Sequence, residues 1–332
     1  MGIQYASLFR PRELARGALL LACLALPLVG WAQHVRNEPI LPIPRPTGLD
    51  PEKVALGQRL FFDTRLSRDQ SISCVSCHRM ALGGTDEHVP SLGVAGRKGG
   101  IKSPTVFNSD FNIAQFWDGR ARDLHEQLDG PVHNPVEMDN DWPTIVHRLQ
   151  ADEAFRARFL EAYPQGINEA ALKDALVQFE RSLVTPDSPF DRWLKGDEKA
   201  LSTEAREGYA LFQSYGCVAC HQGVNVGGNL FQRMGVMGDY FKDRGTPTTR
   251  ADLGRFNVTG DEEDKFYFKV PSLRLVALQK RFFHDGSAAT LDEAIQTMAR
   301  YQLGRTIPPT DRARIMAFLR SLVGHHPLLP ES

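Results

Sequence analysis

Cys74-Val75-Ser76-Cys77-His78 and Cys217-Val218-Ala219-Cys220-His221 decide how this chain is read. Each is led by the same short pattern, Gly57-x-x-Leu60-Phe61 before the first and Gly208-x-x-Leu211-Phe212 before the second. A short helix running into the same cysteine motif therefore occurs twice, which reads as two related modules. Cys-x-x-Cys-His is the attachment signature of a c-type haem. The two thiols form thioethers to the haem vinyl groups, and the adjacent histidine is then held close enough to ligate the iron. The rival readings are a thioredoxin-like redox pair, a zinc site and a disulfide. A redox pair needs a strand before it and no histidine ligand after it. Four cysteines could hold zinc, but a histidine directly after each pair would then be coincidence. Two complete copies in a chain that reads as exported favour covalent haem, with Cys74, Cys77, Cys217 and Cys220 as attachment points and His78 and His221 as proximal ligands.

Outward from these motifs, the 332 residues are 42% hydrophobic and 24% charged, with a formal net charge of −1. This composition excludes a disordered, collagen-like or coiled-coil chain. The length suits two domains at roughly 100–200 residues each. Near-zero net charge leaves no electrostatic footprint for nucleic acid. Residues 1–32 read as a secretory signal peptide: Arg10, Arg12 and Arg16 face one acid, Glu13, an apolar run from Ala18 to Val29 follows, and Gly30-Trp31-Ala32 suits cleavage. That run is short of the roughly 20 residues a bilayer needs, and no later stretch is long and apolar enough. An uncleaved anchor is the alternative, and Cys23 is read as part of the apolar run rather than a lipid-attachment site. The mature protein is expected to be soluble, exported and periplasmic.

Residues 33–49 form a proline-rich arm expected to be extended. Asp50-Pro51 reads as an N-cap with proline at the first helical position. Leu172, Ala175, Leu176, Phe179 and Leu183 recur with helical spacing behind Asn168, and Ile315, Phe318, Leu319 and Leu322 do so before Gly324. Alternating strand patterns are scarce, so the fold is mainly α. The division falls at the turn cluster Thr185-Pro186-Asp187-Ser188-Pro189, giving domains at 50–187 and 188–332. Thr290-Leu291-Asp292-Glu293 has the form of a capping box, and Leu291, Ala294, Ile295 and Met298 share one face of the helix it opens. Met298 is either a core methionine or a thioether ligand to the second haem, where it would raise the reduction potential.

Further ordered motifs carry a resemblance. In the first half they are Leu56-Gly57-x-x-Leu60-Phe61-Phe62-Asp63-x-Arg65-Leu66-Ser67, Ser103-Pro104-Thr105-Val106-Phe107-Asn108, Gln115-Phe116-Trp117-Asp118-Gly119-Arg120, Glu126-Gln127 and Asn134-Pro135-Val136-Glu137-Met138. In the second half they are Phe268-Lys269-Val270-Pro271-Ser272-Leu273-Arg274 and Phe283-His284-Asp285-Gly286. With the two haem motifs, this series resembles the bacterial di-haem cytochrome c peroxidase family over nearly all of the mature chain. The resemblance implies two cytochrome c-like domains, each with one covalently attached haem c. It implies that Met298 is the axial ligand of the second, high-potential haem. It implies that Trp117 lies between the haems and relays electrons; read alone, it would be a buried core aromatic.

Gln127 and Glu137 match two polar residues over the open face of the first haem, although either would by itself read as surface. Splitting peroxide requires a proton to move from one oxygen to the other as the O–O bond breaks. A carboxylate within hydrogen-bonding distance can carry it, and an amide can orient the peroxide. Glu137 is therefore the expected general acid–base and Gln127 its positioning partner. The implied reaction oxidises two reduced cytochromes c and reduces hydrogen peroxide to water. The donor is expected to be a small cytochrome c or a small copper protein (cupredoxin), and members of the family often form homodimers.

The chain also departs from the family. Val94 stands where many of these peroxidases have a histidine that closes the first haem until reduction. The surrounding Ser91–Gly99 stretch is closer to the related di-haem enzyme that builds tryptophan tryptophylquinone within methylamine dehydrogenase. The first haem is thus predicted to be five-coordinate at rest and to need no activating reduction, with His88 the alternative ligand. The cofactor-building enzyme has a tyrosine where this chain has Met298, and a surface tryptophan where Tyr215, read here as a packing residue, stands. A calcium ion usually sits between the domains in the family. Lys102 occupies its asparagine position and Gln279-Lys280-Arg281 its carbonyl segment, so calcium is doubtful and Lys102 or Arg281 is expected in its place. Three functions follow in order: an exported peroxidase, a di-haem enzyme that oxidises residues of a partner protein, and a non-catalytic electron carrier.

Overall fold

Helix Pro51–Phe61 starts where the sequence predicts, with the Asp50 carboxylate accepting from the backbone N–H groups of Glu52 and Lys53. The computed structural model describes residues 36–330. The signal-peptide reading at 1–32, with Cys23, and residues 33–35 of the arm lie outside these. Four further helices organise the chain: Glu169–Ser182 behind the Asn168 cap, Thr203–Ser214 behind Ser202, Leu291–Leu303 behind the Thr290/Glu293 capping box, and Pro309–Arg320. The described residues are mainly helical, and their one sheet has two short antiparallel strands, β1 (Phe231–Arg233) and β2 (Tyr267–Lys269).

The repeated glycines set the helix pairs. A Cβ on Gly57 would lie 1.8 Å from the Ala175 carbonyl oxygen, and one on Gly208 would lie 1.9 Å from that of Arg314. Helix Pro51–Phe61 therefore crosses Glu169–Ser182, and Thr203–Ser214 crosses Pro309–Arg320, backbone against backbone. Only glycine permits this approach. Each crossing anchors a core. The first gathers Leu56, Leu60, Phe61, Phe159, Leu172 and Phe179. The second gathers Phe190, Tyr209, Phe212, Ile295, Ile315 and Phe318. Each such side chain, fully buried, contributes roughly 1.5–3 kcal/mol.

The two ends of the described chain cross over. The proline-rich arm is extended, as its composition predicts, and Ile40 bridges to Gly223 while its side chain joins the second core. The other end does the converse: Val323, Leu328 and Leu329 pack on the first core. Between them, Arg274 is wholly buried against Asp191 at 2.7 Å and also donates to the carbonyls of Leu41 and Val224. No described helix is long and apolar enough to cross a membrane.

Candidate functional site

The second cysteine motif follows directly on helix Thr203–Ser214. Gly216, at φ +92°, turns the chain into the short turn Cys217–Ala219, and the His221 N–H donates to the Cys217 carbonyl. The His221 ring is buried, which pushes its pKa down to about 4. The imidazole is therefore neutral, and its Nδ1 lies 3.4 Å from the Val226 carbonyl oxygen. That contact directs Nε2, with its lone pair, away from the backbone.

Cys217, Cys220 and His221 line a cavity of about 390 Å³, and helix Leu291–Leu303 supplies more of its wall through Leu291, Ala294, Ile295 and Met298. The capping box sets the start of that helix, and the 3.6-residue period then brings Met298 round to the cavity. Trp117 lines the same cavity. Its indole N–H donates to the Lys102 carbonyl at 2.8 Å, and its own carbonyl accepts from the Lys269 N–H at 2.8 Å. The Trp117 ring stands edge-on to His284, with centroids 6.3 Å apart. Behind it, His284 Nε2 lies 2.8 Å from Asp252, and Arg244 bridges Asp252 and Asp285 at 2.7 and 2.8 Å. These acids and the histidine are close enough to serve as metal ligands, but the guanidinium already satisfies the carboxylates.

The first motif forms the short helix Cys74–Cys77. His78 Nδ1 lies 3.1 Å from both the Gly84 and Pro104 carbonyl oxygens, and burial lowers the pKa of its ring. A hairpin-like loop, Ser91–Gly99, borders this motif, with the Leu92 carbonyl oxygen 3.9 Å from Cys77 Sγ. Val94, 2% exposed, donates its N–H to the Glu137 carbonyl at 2.9 Å. A Cβ on Gly93 would lie 2.2 Å from the Val136 carbonyl oxygen, so the loop sits directly against the Glu137 segment. The Glu137 carboxyl accepts from Asn134 Nδ2 at 2.8 Å. Burial raises its pKa, while Arg120 and Asn134 pull it down.

Of the residues nominated from sequence, Met298 and Trp117 thus meet Cys217, Cys220 and His221 in one cavity, and Glu137 sits behind the loop bordering Cys77. Gln127 ends helix Leu124–Gln127, half-buried, with no side-chain hydrogen bond among the described residues. The amide bonded to the Glu137 carboxyl is that of Asn134, which is close in sequence to it and shares its turn. His88 is exposed and bonded to Asp86 at 3.2 Å. The Tyr215 hydroxyl donates to Asp311 at 2.7 Å, and its ring packs on the second core, as expected of a packing residue. Lys102 is buried, and its ammonium donates to Gln279 Oε1 at 3.1 Å and to the Ser103 carbonyl at 3.4 Å, whereas Lys280 and Arg281 are exposed. The sequence does not single out Asn134 or Arg120, although both lie within the quoted motifs; only the hydrogen bond from Asn134 and the nearby charge of Arg120 tie them to Glu137.

The family model for di-haem cytochrome c peroxidase matches residues 51–199. Cytochrome c peroxidase Ccp of Escherichia coli is 48% identical over 294 residues, 88% of this chain and 63% of that protein, so this chain spans less than two thirds of it. Cytochrome c551 peroxidase of Nitrosomonas europaea is 45% identical over 88% of this chain and 86% of its own length. The chain belongs to the di-haem cytochrome c peroxidase family. A solved structure of a MauG-like protein associated with microbial copper homeostasis matches with a TM-score of 0.75 at 28% identity, covering 84% of this chain and 93% of that one. Membership makes the chain an oxidoreductase of the cytochrome c peroxidase class, and the family's cofactor is a pair of haems.

Proposed function

We propose that each Cys-x-x-Cys-His motif holds one covalent haem c, in domains 50–187 and 188–332, and that the chain reduces hydrogen peroxide with electrons from a small periplasmic redox protein. Export through residues 1–32 belongs to this reading. The observation that carries it is the apolar cavity lined together by Cys217, Cys220, His221 and Met298, with Trp117 beside them. The donor set fits the cofactor: two thiols, a neutral imidazole with Nε2 available, and a thioether. When bound, the haems supply iron that accepts peroxide at one motif and single electrons at the other.

The chain's own residues do the rest. His78 and His221 are held in register by their Nδ1 contacts, so each offers Nε2. Met298 would offer its thioether to the haem at the second motif, a donor that favours the reduced state. Trp117 couples the two sites. Glu137 takes a proton from one peroxide oxygen and delivers it to the departing one, with Asn134 fixing the carboxyl and Gln127 left to orient the peroxide. Val94 offers no donor atom, so a haem held by His78 would find no second ligand at this position. The overall balance is one hydrogen peroxide, two protons and two electrons to two waters. The buried Lys102 ammonium, with Gln279, takes the place of the family's interdomain calcium; calcium bound after purification without chelator would overturn that assignment. A half-buried acid beside a site with no second ligand would have no use in a plain electron carrier.

The test is steady-state oxidation of a pre-reduced small cytochrome c by hydrogen peroxide, using fully oxidised, never-reduced enzyme. Rapid turnover is expected. Turnover only after reduction would overturn the open first site, and no turnover in either state would move the function to oxidation of a partner protein.

A further inference from the structure

Lys269 is a buried lysine, 7% exposed, on the wall of the cavity that contains Cys217, Cys220, His221 and Met298. It stands on strand β2, where its backbone is pinned by pairing with Phe231 and by the bond to the Trp117 carbonyl. Its neighbour Phe268, on the same wall, stacks on the His284 ring with centroids 4.5 Å apart. Lys102, the other lysine on this wall, has Gln279 and Ser103 as acceptors. The Lys269 ammonium has neither an acceptor nor a carboxylate among the described residues, and burial pushes its pKa down to about 8 with nothing opposing. Once the cavity is filled, this ammonium is taken out of water, which without an anion costs several kcal/mol. A leucine or methionine would fill the same place without that cost, so the cation implies an anion that arrives with the cavity's occupant.

We infer that Lys269 pairs with a propionate of the haem held by the second motif and thereby raises the reduction potential of that haem. This rests on the second motif carrying haem, as proposed above. A haem brings two propionates into a cavity whose wall is otherwise mostly apolar. Neutralising one of them removes negative charge that would stabilise the oxidised, more positive iron. Met298 and Lys269 then act in the same direction, one through the axial bond and the other through charge. The backbone bond between Lys269 and Trp117 keeps the two residues adjacent on the wall of this cavity.

The experiment is potentiometric titration of the second haem in the full-length protein and in K269Q and K269R, with haem counted per chain and the propionate-bending band followed by resonance Raman. K269Q is expected to keep both haems, to shift the Raman band, and to lower the reduced-to-oxidised ratio at fixed potential by about tenfold, which is 59 mV for a one-electron couple. K269R keeps the charge and is expected to stay close to the wild-type titration. K269Q with both haems and an unshifted midpoint and band would overturn the inference, as would K269R falling as far as K269Q. Wild-type protein with no haem at the second motif would instead overturn the reading on which the inference stands.

Discussion

Glu137 illustrates what a single residue owes to its surroundings. Burial raises its pKa above the ordinary carboxylate value, and Asn134 and Arg120 partly restore it. A base acts only when deprotonated, so peroxide turnover is expected to fall as the pH drops through this raised pKa. Asn134→Ala removes one of the interactions that lower it and should move the acidic limb of the pH–rate profile to higher pH; an unmoved limb would remove Glu137 from the proton path. Glu137→Gln should cut peroxide turnover by about 10²–10⁴-fold with the haem content unchanged. The motif Asn134-Pro135-Val136-Glu137 was legible in the sequence, but the division of labour within it was not. Gln127 and Asn134 are equally good amides on paper, and only the turn decides which of them reaches the carboxyl.

At the scale of elements, the loop Ser91–Gly99 and the glycine crossings invite direct tests. The loop holds Val94 by its N–H against the Glu137 carbonyl, between Gly93 and Ala95, the latter at φ +53°. Val94→His places an imidazole where the chain has no ligand. It is expected to give an oxidised protein that is fully low-spin by electron paramagnetic resonance and inactive until reduced, whereas the wild type should show a high-spin signal. A fully low-spin wild type would sink the open-site reading. Gly57 and Gly208 play the same part in the two helix pairs. Ala at either position forces a Cβ into a backbone carbonyl, which cannot rotate away. Each substitution should cost at least about 1–3 kcal/mol in denaturant unfolding. Equal stability would mean that the helices can part without loss. The helix starts at Asp50, Asn168 and Thr290 were readable because a cap is local chemistry. Strands β1 and β2 were not, since three-residue strands carry too little pattern and are held by pairing across distant segments.

At the scale of the whole molecule, stability carries a pH signature from a buried acid near Cys74 that the proposed chemistry does not use. Glu180 is buried in helix Glu169–Ser182, has a carboxyl oxygen with no partner among the described residues, and has its pKa pushed by burial from 4.5 to about 8. The folded chain therefore binds a proton that the unfolded chain has released. The contribution is fully present below the unfolded value and is lost as the pH rises to about 8, a few kcal/mol at most. Glu180→Gln should flatten this slope, so the variant gains on the wild type in urea midpoint as pH rises over that window. Parallel curves would show that Glu180 ionises freely.

The sequence by itself determined the two cysteine motifs, their leading glycine helices, the caps and the family, because each is written in residues a few positions apart. The tertiary structure alone decided that Lys102 and not Arg281 turns inward, that Asn134 holds Glu137, that His88 faces solvent, and that Lys269 enters the cavity without a partner. These depend on which distant segments share a wall, and burial, the largest influence on both charge and pKa, belongs to that arrangement rather than to any residue alone.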